Sequence, residues 1–152
     1  MKISAPVIDK LFEESTIARL ATINQDGSPH QVPIVFTWLD GCFWSPVDGK
    51  PKQNSQLKRI RNIETNSRAS LIIDKYSDDW SQLWWIRADL QISIILINDT
   101  SMEMHDSAIK AVTHLERKYP QYEHTPVLAN PPTLLRMQPL RLTSWCAEEV
   151  TQ

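Results

Sequence analysis

LWWIRADLQISI, residues 83–94, carries the clearest periodic signal in the chain. From Trp84, every second residue is apolar: Trp84, Ile86, Ala88, Leu90, Ile92 and Ile94 share one face. Trp85, Arg87, Asp89, Gln91 and Ser93 fall on the other. Successive side chains of a strand point to opposite faces, so this alternation predicts a long strand with one buried face. A half-buried strand belongs to an antiparallel sheet, since strands of parallel sheets are covered on both sides.

Upstream, Ala69 to Ile73 is a compact apolar run, expected as a strand buried on both faces, and Asp74 to Gln82 is polar and turn-like around Trp80. A helix is expected from about Gln53 to Asn66, with Leu57, Ile60 and Ile63 inward and its basic residues mostly outward. Ahead of it, His30 to Trp38 and Cys42 to Ser45 read as strands joined at Asp40-Gly41. Pro33 cannot donate a ladder hydrogen bond, so it marks an edge, a bulge or a place where a ligand stands in for a neighbouring strand. Ile17 to Ile23 is a further strand, closed by the turn signal Asn24-Gln25-Asp26-Gly27. Ser4 can cap a first helix running to about Glu14, with Pro6 in its first turn. Downstream, Ser101 caps a helix that Pro120 ends, and Leu134 to Trp145 supplies one or two strands broken at Pro139. Strands grouped into a meander with a few helices give an α+β, mainly β fold and a small closed barrel.

The chain of 152 residues is expected to form a single domain, 1–152. A net charge of −2 gives no general attraction to nucleic acid or membrane, so any anion site must be local. Cys42 and Cys146 are isolated, and the N-terminal apolar pattern is interrupted by Asp9 and Glu13, unlike a signal peptide; a soluble cytoplasmic protein is expected. Gly is scarce at three residues while Trp reaches six, which disfavours Gly-rich phosphate loops and suggests broad packing surfaces or walls for a flat ligand.

His30, His105, His114 and His124 are scattered without metal-ligand spacing, so no metal site is expected. No nucleophile elbow, Cys/His signature or Walker loop is present, and no catalytic residue is assigned. The hairpin does deliver Lys50 and Lys52 to the start of the basic helix, where backbone N–H groups and the dipole favour an anion. On spacing alone the favoured reading of that segment is an ordinary hairpin before a helix with a solvated basic face. Aromatic walls, a local phosphate cradle and no reactive side chain suit a protein that takes its chemistry from a cofactor such as a flavin.

The order ARLATINQDGSPHQVPIVF, then FWSPVDGKPK, then LKRIRNIETNSRASLIIDKYSDDWSQLWWIRAD resembles the pyridoxamine 5′-phosphate oxidase-like split barrels, and more closely their coenzyme F420-dependent branch. The resemblance spans about Ile17 to Trp145. It implies a six-stranded antiparallel split β-barrel of the FMN-binding type with flanking helices, forming a homodimer with cofactor sites at the interface. It implies that Val32, Pro33 and Ile34 meet the cofactor ring, that Trp44 and Ser45 reach the tail, and that Lys50, Lys52 and Gln53 hold the phosphate. Trp80, Trp85 and Arg87 match pocket or dimer-wall positions. The chain departs from the pattern at Gln53-Asn54-Ser55-Gln56, where relatives are often richer in Arg, and at Leu90, where Gly is common.

The implied activity is hydride transfer between coenzyme F420 or FMN and a small unsaturated substrate. The alternative is a non-catalytic FMN-, F420- or haem-binding module for storage or sensing. Arg136 and Arg141 stand alone, which argues against a second phosphate site and so against pyridoxamine phosphate oxidation itself. A sheet binding single-stranded nucleic acid through aromatics is disfavoured by the acidic net charge.

Overall fold

A computed structural model describes residues 1–48 and 57–150. Among these, the order is α1 (Ala5–Glu14), β1 (Ala18–Ile23), β2 (Pro29–Ile34), β3 (Thr37–Leu39), β4 (Cys42–Pro46), α2 (Lys58–Thr65), β5 (Arg68–Lys75), β6 (Trp84–Leu96), α3 (Met102–Lys118) and β7 (Thr133–Cys146). The strands form one sheet in the order β2-β1-β5-β6-β7-β4-β3, every described pairing antiparallel. Seven strands replace the expected six because the segment read as one strand from His30 to Trp38 is two. The chain bends at Val35 and Phe36, so β2 lies at one edge of the sheet and β3 at the other.

That bend is fastened from several sides. The Tyr119 hydroxyl accepts the Phe36 N–H at 3.0 Å and lies 2.9 Å from the Phe36 carbonyl and 2.8 Å from the Thr16 carbonyl. Its single proton serves these two acceptors. The Ser45 hydroxyl donates to the Val35 carbonyl at 2.8 Å. The sheet rolls up because one short, doubly held segment belongs to both of its edges.

The turns follow their residues. Asp40 (φ 52°) and Gly41 (φ 73°) link β3 and β4 through a two-residue loop with positive φ at both positions, which matches the twist of the flanking strands. The β1–β2 turn closes with Gly27 at φ 83° and the Asn24 N–H donating to the Ser28 carbonyl. Ser4 stands at the α1 N-cap position without a side-chain cap bond, whereas the Ser101 hydroxyl caps α3 by accepting the Met104 N–H.

Three expectations need correcting. The α2 helix starts at Lys58: Leu57 is extended and packs its side chain against the core, and residues 53–56 lie outside the described residues. On β5 only Leu71 and Ile73 are fully buried; Ser70 and Ile72 on the opposite face are partly exposed. Pro139 does not break β7, which runs unbroken to Cys146. Strand β4 pairs with β7 only as far as Met137, so at Pro139 the strand has β6 alone as a ladder neighbour. A register shift between Asp89 and Leu90, where Leu90 faces Pro139 and Asp89 faces Arg141, absorbs the extra residue.

The interior divides in two. Inside the barrel, Phe12, Leu20, Phe36, Phe43, Leu71, Ile73, Ile86 and Leu90 form the first core, with Phe12 and Phe43 edge-to-face at 4.7 Å. The second lies under α3, where Ala108, Ala111 and Leu115 pack on Trp44, Ile95 and Leu134. The inward alternation of β6 holds through Ile92; then Ile94 is only partly buried, and Ile95 faces the second core. One strand therefore serves two cores by changing face near its end.

Tyr119→Phe should lower unfolding free energy by about 1–3 kcal/mol, because it leaves buried backbone groups at the bend without a partner. Burial pushes the Tyr119 hydroxyl up to about 12, against the bond to Phe36. An unfolded tyrosine ionises near pH ~10, so the folded chain retains a proton the unfolded one has lost, and stability falls as pH rises from about 10 to 12. Denaturant titrations across that range should show a shallower decline for Tyr119→Phe than for the parent chain.

Candidate functional site

Strand β2 has a neighbour only on its β1 side, so its outer edge carries no ladder partner among the described residues. Pro33 sits on this edge strand opposite Arg19, exposed, while Val32 is half-buried and Ile34 buried against the core. The sequence left three readings for Pro33, and the edge position is the one observed. Lys50, Lys52 and Gln53 lie outside the described residues.

The described residues on either side of that loop form a polar group of their own. Asp48, 7% exposed, accepts a hydrogen bond from the Tyr122 hydroxyl at 3.0 Å. Burial makes the Tyr122 hydroxyl lose its proton less readily than usual, and the Asp48 carboxylate pushes it the same way. In the first turn of α2, Arg59 Nε is buried without a hydrogen-bond partner among the described residues. Burial lowers the guanidinium pKa, and the charge of Asp48 opposes that shift. His30 Nδ1 on β2 is likewise buried without a partner.

Asn62 joins the helix to the sheet. Buried at 5% exposure, it donates to Thr22 Oγ1 and Asn24 Oδ1, each at 3.0 Å, tying α2 to the end of β1. Arg59 precedes Asn62 by three residues and so shares its helix face. The sequence reading places the basic residues of α2, Lys58, Arg59 and Arg61, mostly outward and gives Arg59 no role of its own. The i, i+3 relation to Asn62, and i, i+4 to Ile63, was the available signal.

The aromatic residues separate into two groups. Trp44 (3% exposed) and Ser45 (1%) are packed inside: the Trp44 indole N–H donates to the Leu39 carbonyl, and the Ser45 hydroxyl holds the bend. Their backbone lies between β3 and β7 in the ladder. Trp84 packs partly against the first core. Trp85, in contrast, stands half-buried on the outer face of the sheet, beside Asp74 and Trp145 in register, with the Arg87 guanidinium 6.0 Å from its ring centroid. Trp80 is 70% exposed on a single 3-10 turn. The outer face carries a hollow of about 350 Å³ lined by Ile72, Tyr76, Trp85 and Trp145, with an Arg19–Asp74 ion pair of 2.6 Å on its wall.

The remaining chemistry is sparse. Cys42 and Cys146 are free and buried, and burial raises the Cys42 thiol, which keeps it protonated and unreactive. Among the described residues, no group of three or more His, Cys, Asp or Glu side chains is placed to hold a metal ion. No helix among them is long and apolar enough to cross a membrane.

A mainly β antiparallel sheet of this topology, rolled up by a strand segment shared between its two edges, places the chain in the split-barrel class. The chain belongs to the pyridoxamine 5′-phosphate oxidase family, whose profile matches residues 5–146. No curated protein matches it in sequence. Among solved structures it is similar to a conserved hypothetical protein from Mycobacterium tuberculosis, with 19% identity, coverage of 95% of this chain and 86% of that one, and a TM-score of 0.72. It is also similar to a FAD-binding protein from Mesorhizobium loti (17% identity, 95% and 93% coverage, TM-score 0.69). A haem storage protein from Vibrio cholerae shares the fold at 14% identity, with 96% and 95% coverage and a TM-score of 0.66. At these identities the likeness is one of fold.

Asn62→Ala should destabilise the chain by about 1–3 kcal/mol through the loss of two buried partners. Urea denaturation monitored by tryptophan fluorescence checks this, with the exposed Lys58→Ala expected to stay within about 0.5 kcal/mol of the parent.

Proposed function

We propose that the protein is a cytoplasmic, homodimeric oxidoreductase that uses FMN or coenzyme F420 to reduce or oxidise a small unsaturated molecule. The observation that carries this reading is Arg59: a buried guanidinium nitrogen, Nε, without a partner among the described residues, in the first turn of α2, which follows the segment that contains Lys50 and Lys52. A buried donor left unpaired is costly, and a phosphate group satisfies it with a charge-assisted bond. The residues present therefore fit a phosphate-bearing cofactor.

In this reading Lys50, Lys52, Gln53 and Arg59 hold the phosphate, and Asp48 with Tyr122 fixes the base of their loop. The open edge of β2 from Val32 to Ile34 offers backbone groups to the polar rim of the ring. Trp44 and Ser45 act through β4, whose position they set from within the core. Trp80, Trp85 and Arg87 form an aromatic and cationic wall that excludes water and orients the substrate. When bound, the cofactor supplies hydride transfer; the chain supplies placement, a dry wall and charge compensation. The hollow around Trp85 and Trp145 is apolar enough to be covered by a second copy, which would complete each site.

A second reading is a non-catalytic module that stores or senses a haem or flavin. His30 favours it, since a buried imidazole nitrogen with no partner is suited to ligate haem iron.

Absorption spectra of purified protein titrated with FMN, coenzyme F420 and haemin separate the two. Flavin or deazaflavin binding that weakens roughly 10- to 150-fold in both Lys52→Ala and Arg59→Gln supports the first reading, as expected for loss of a charge-assisted bond of about 1.5–3 kcal/mol. A Soret band abolished by His30→Ala supports the second. Unchanged affinity in both phosphate-site variants overturns the assignment. Light scattering should give a dimer for the parent and a monomer for Trp145→Arg; a monomeric parent sinks the shared site.

A further inference from the structure

Away from the proposed cofactor site, a cleft of about 640 Å³ opens between α1, the β3–β4 turn and the last turns of α3. Asp9, Glu13, Trp38, His114, Arg117 and Lys118 line it. Asp40 adds a third carboxylate at the β3–β4 turn, beside Thr37 and Leu39. On α3, His114, Arg117 and Lys118 stand three and four residues apart, which sets them on one helix face. Asp9 and Glu13 face them from α1.

Lys118 is unlike the other lysines. Its ammonium donates to the Phe12 carbonyl at 3.3 Å, and it lies 4.1 Å from the Phe36 ring centroid and 5.7 Å from that of Tyr119. Among the described residues, it makes no ion pair. A carbonyl and two ring faces hold a cation less well than water does. Burial accordingly lowers the amine to about 8, against the opposing pull of Glu13. Near pH ~7.5 roughly a quarter of such an amine is unprotonated, against about 0.1% for an ordinary lysine.

We propose that Lys118 is an acylation site, with a small acyl phosphate as donor, bound in this cleft with its phosphate toward Arg117 and His114. The Nζ lone pair attacks the acyl carbonyl carbon and forms a C–N bond. The bond from that carbon to the phosphate oxygen breaks, and phosphate leaves with the electron pair beside the Arg117 guanidinium and the His114 ring. The nitrogen gives its proton to solvent, leaving a neutral amide; nothing is oxidised or reduced. Three features act together: a nucleophile partly unprotonated near neutrality, the Arg117 guanidinium for the leaving group, and room for the donor. The product amide keeps an N–H for the Phe12 carbonyl but loses the charge that holds it over Phe36.

Incubation of the full chain with acetyl phosphate, followed by quantitative peptide mass spectrometry, tests this. At pH 7.5 Lys118 should acetylate at least ten-fold faster than the exposed Lys10 and Lys110, with a rate that levels off above about pH 8. Arg117→Gln, a substitution at an exposed position, should slow that reaction at least five-fold and leave acetylation by the neutral donor p-nitrophenyl acetate unchanged. Equal labelling of the three lysines, or a Lys118 rate that keeps climbing to pH 10, overturns the proposal. So does an Arg117→Gln effect that is absent or the same for both donors.

Discussion

Two residues, Val35 and Phe36, join the opposite edges of the sheet, and the barrel depends on keeping them in place. Backbone groups at such a bend lack ladder partners and would each lose free energy if buried unsatisfied. Tyr119 and Ser45 supply the missing partners, one from the residue after α3 and one from β4. Because Tyr119 also reaches the Thr16 carbonyl, the same hydroxyl fixes the approach to β1. One phenol thus ties the bend and the approach to β1 to the end of α3.

Around that fastening the molecule separates stability from chemistry. Phe12, Phe36 and Phe43 fill the barrel, and at about 1.5–3 kcal/mol for each fully buried side chain they outweigh any surface ion pair. The groups left unsatisfied, Arg59 Nε and His30 Nδ1, lie on α2 and the edge strand instead. Buried polar atoms without partners are rare in folded proteins, so these two, found among the described residues, set α2 and the edge strand apart from the other elements. The outer face, with Trp85, Trp145 and Ile72 around its hollow, is apolar in a different way: its side chains are only partly covered in the single chain.

The elements were legible wherever one face was uniformly apolar. The alternation of β6, the turn at Asp40-Gly41, the Ser101 cap and the edge position of Pro33 all follow from local chemistry. Legibility failed where a strand serves two environments. Ile94 and Ile95 exchange faces because β6 leaves the barrel core for the core under α3, and no local pattern announces a second core. The bend after Ile34 was hidden for a related reason: Val35 and Phe36 are as suited to a strand as their neighbours, and only Tyr119, far along the chain, explains the break. Arg59 was read as surface because a basic residue on a polar helix usually is.

The sequence by itself determined which residues are apolar and where the chain turns, since these rest on side-chain type and short spacings; the family rests on likeness over nearly the whole chain. Only the tertiary structure decided which polar atoms are left without partners, which aromatics are core and which face outward, and how many strands the sheet has. Those properties depend on contacts between residues distant in the chain. The Tyr119 hydroxyl, the Arg59 guanidinium and the Lys118 amine have ordinary chemistry in isolation, and acquire their roles from what packing removes from around them.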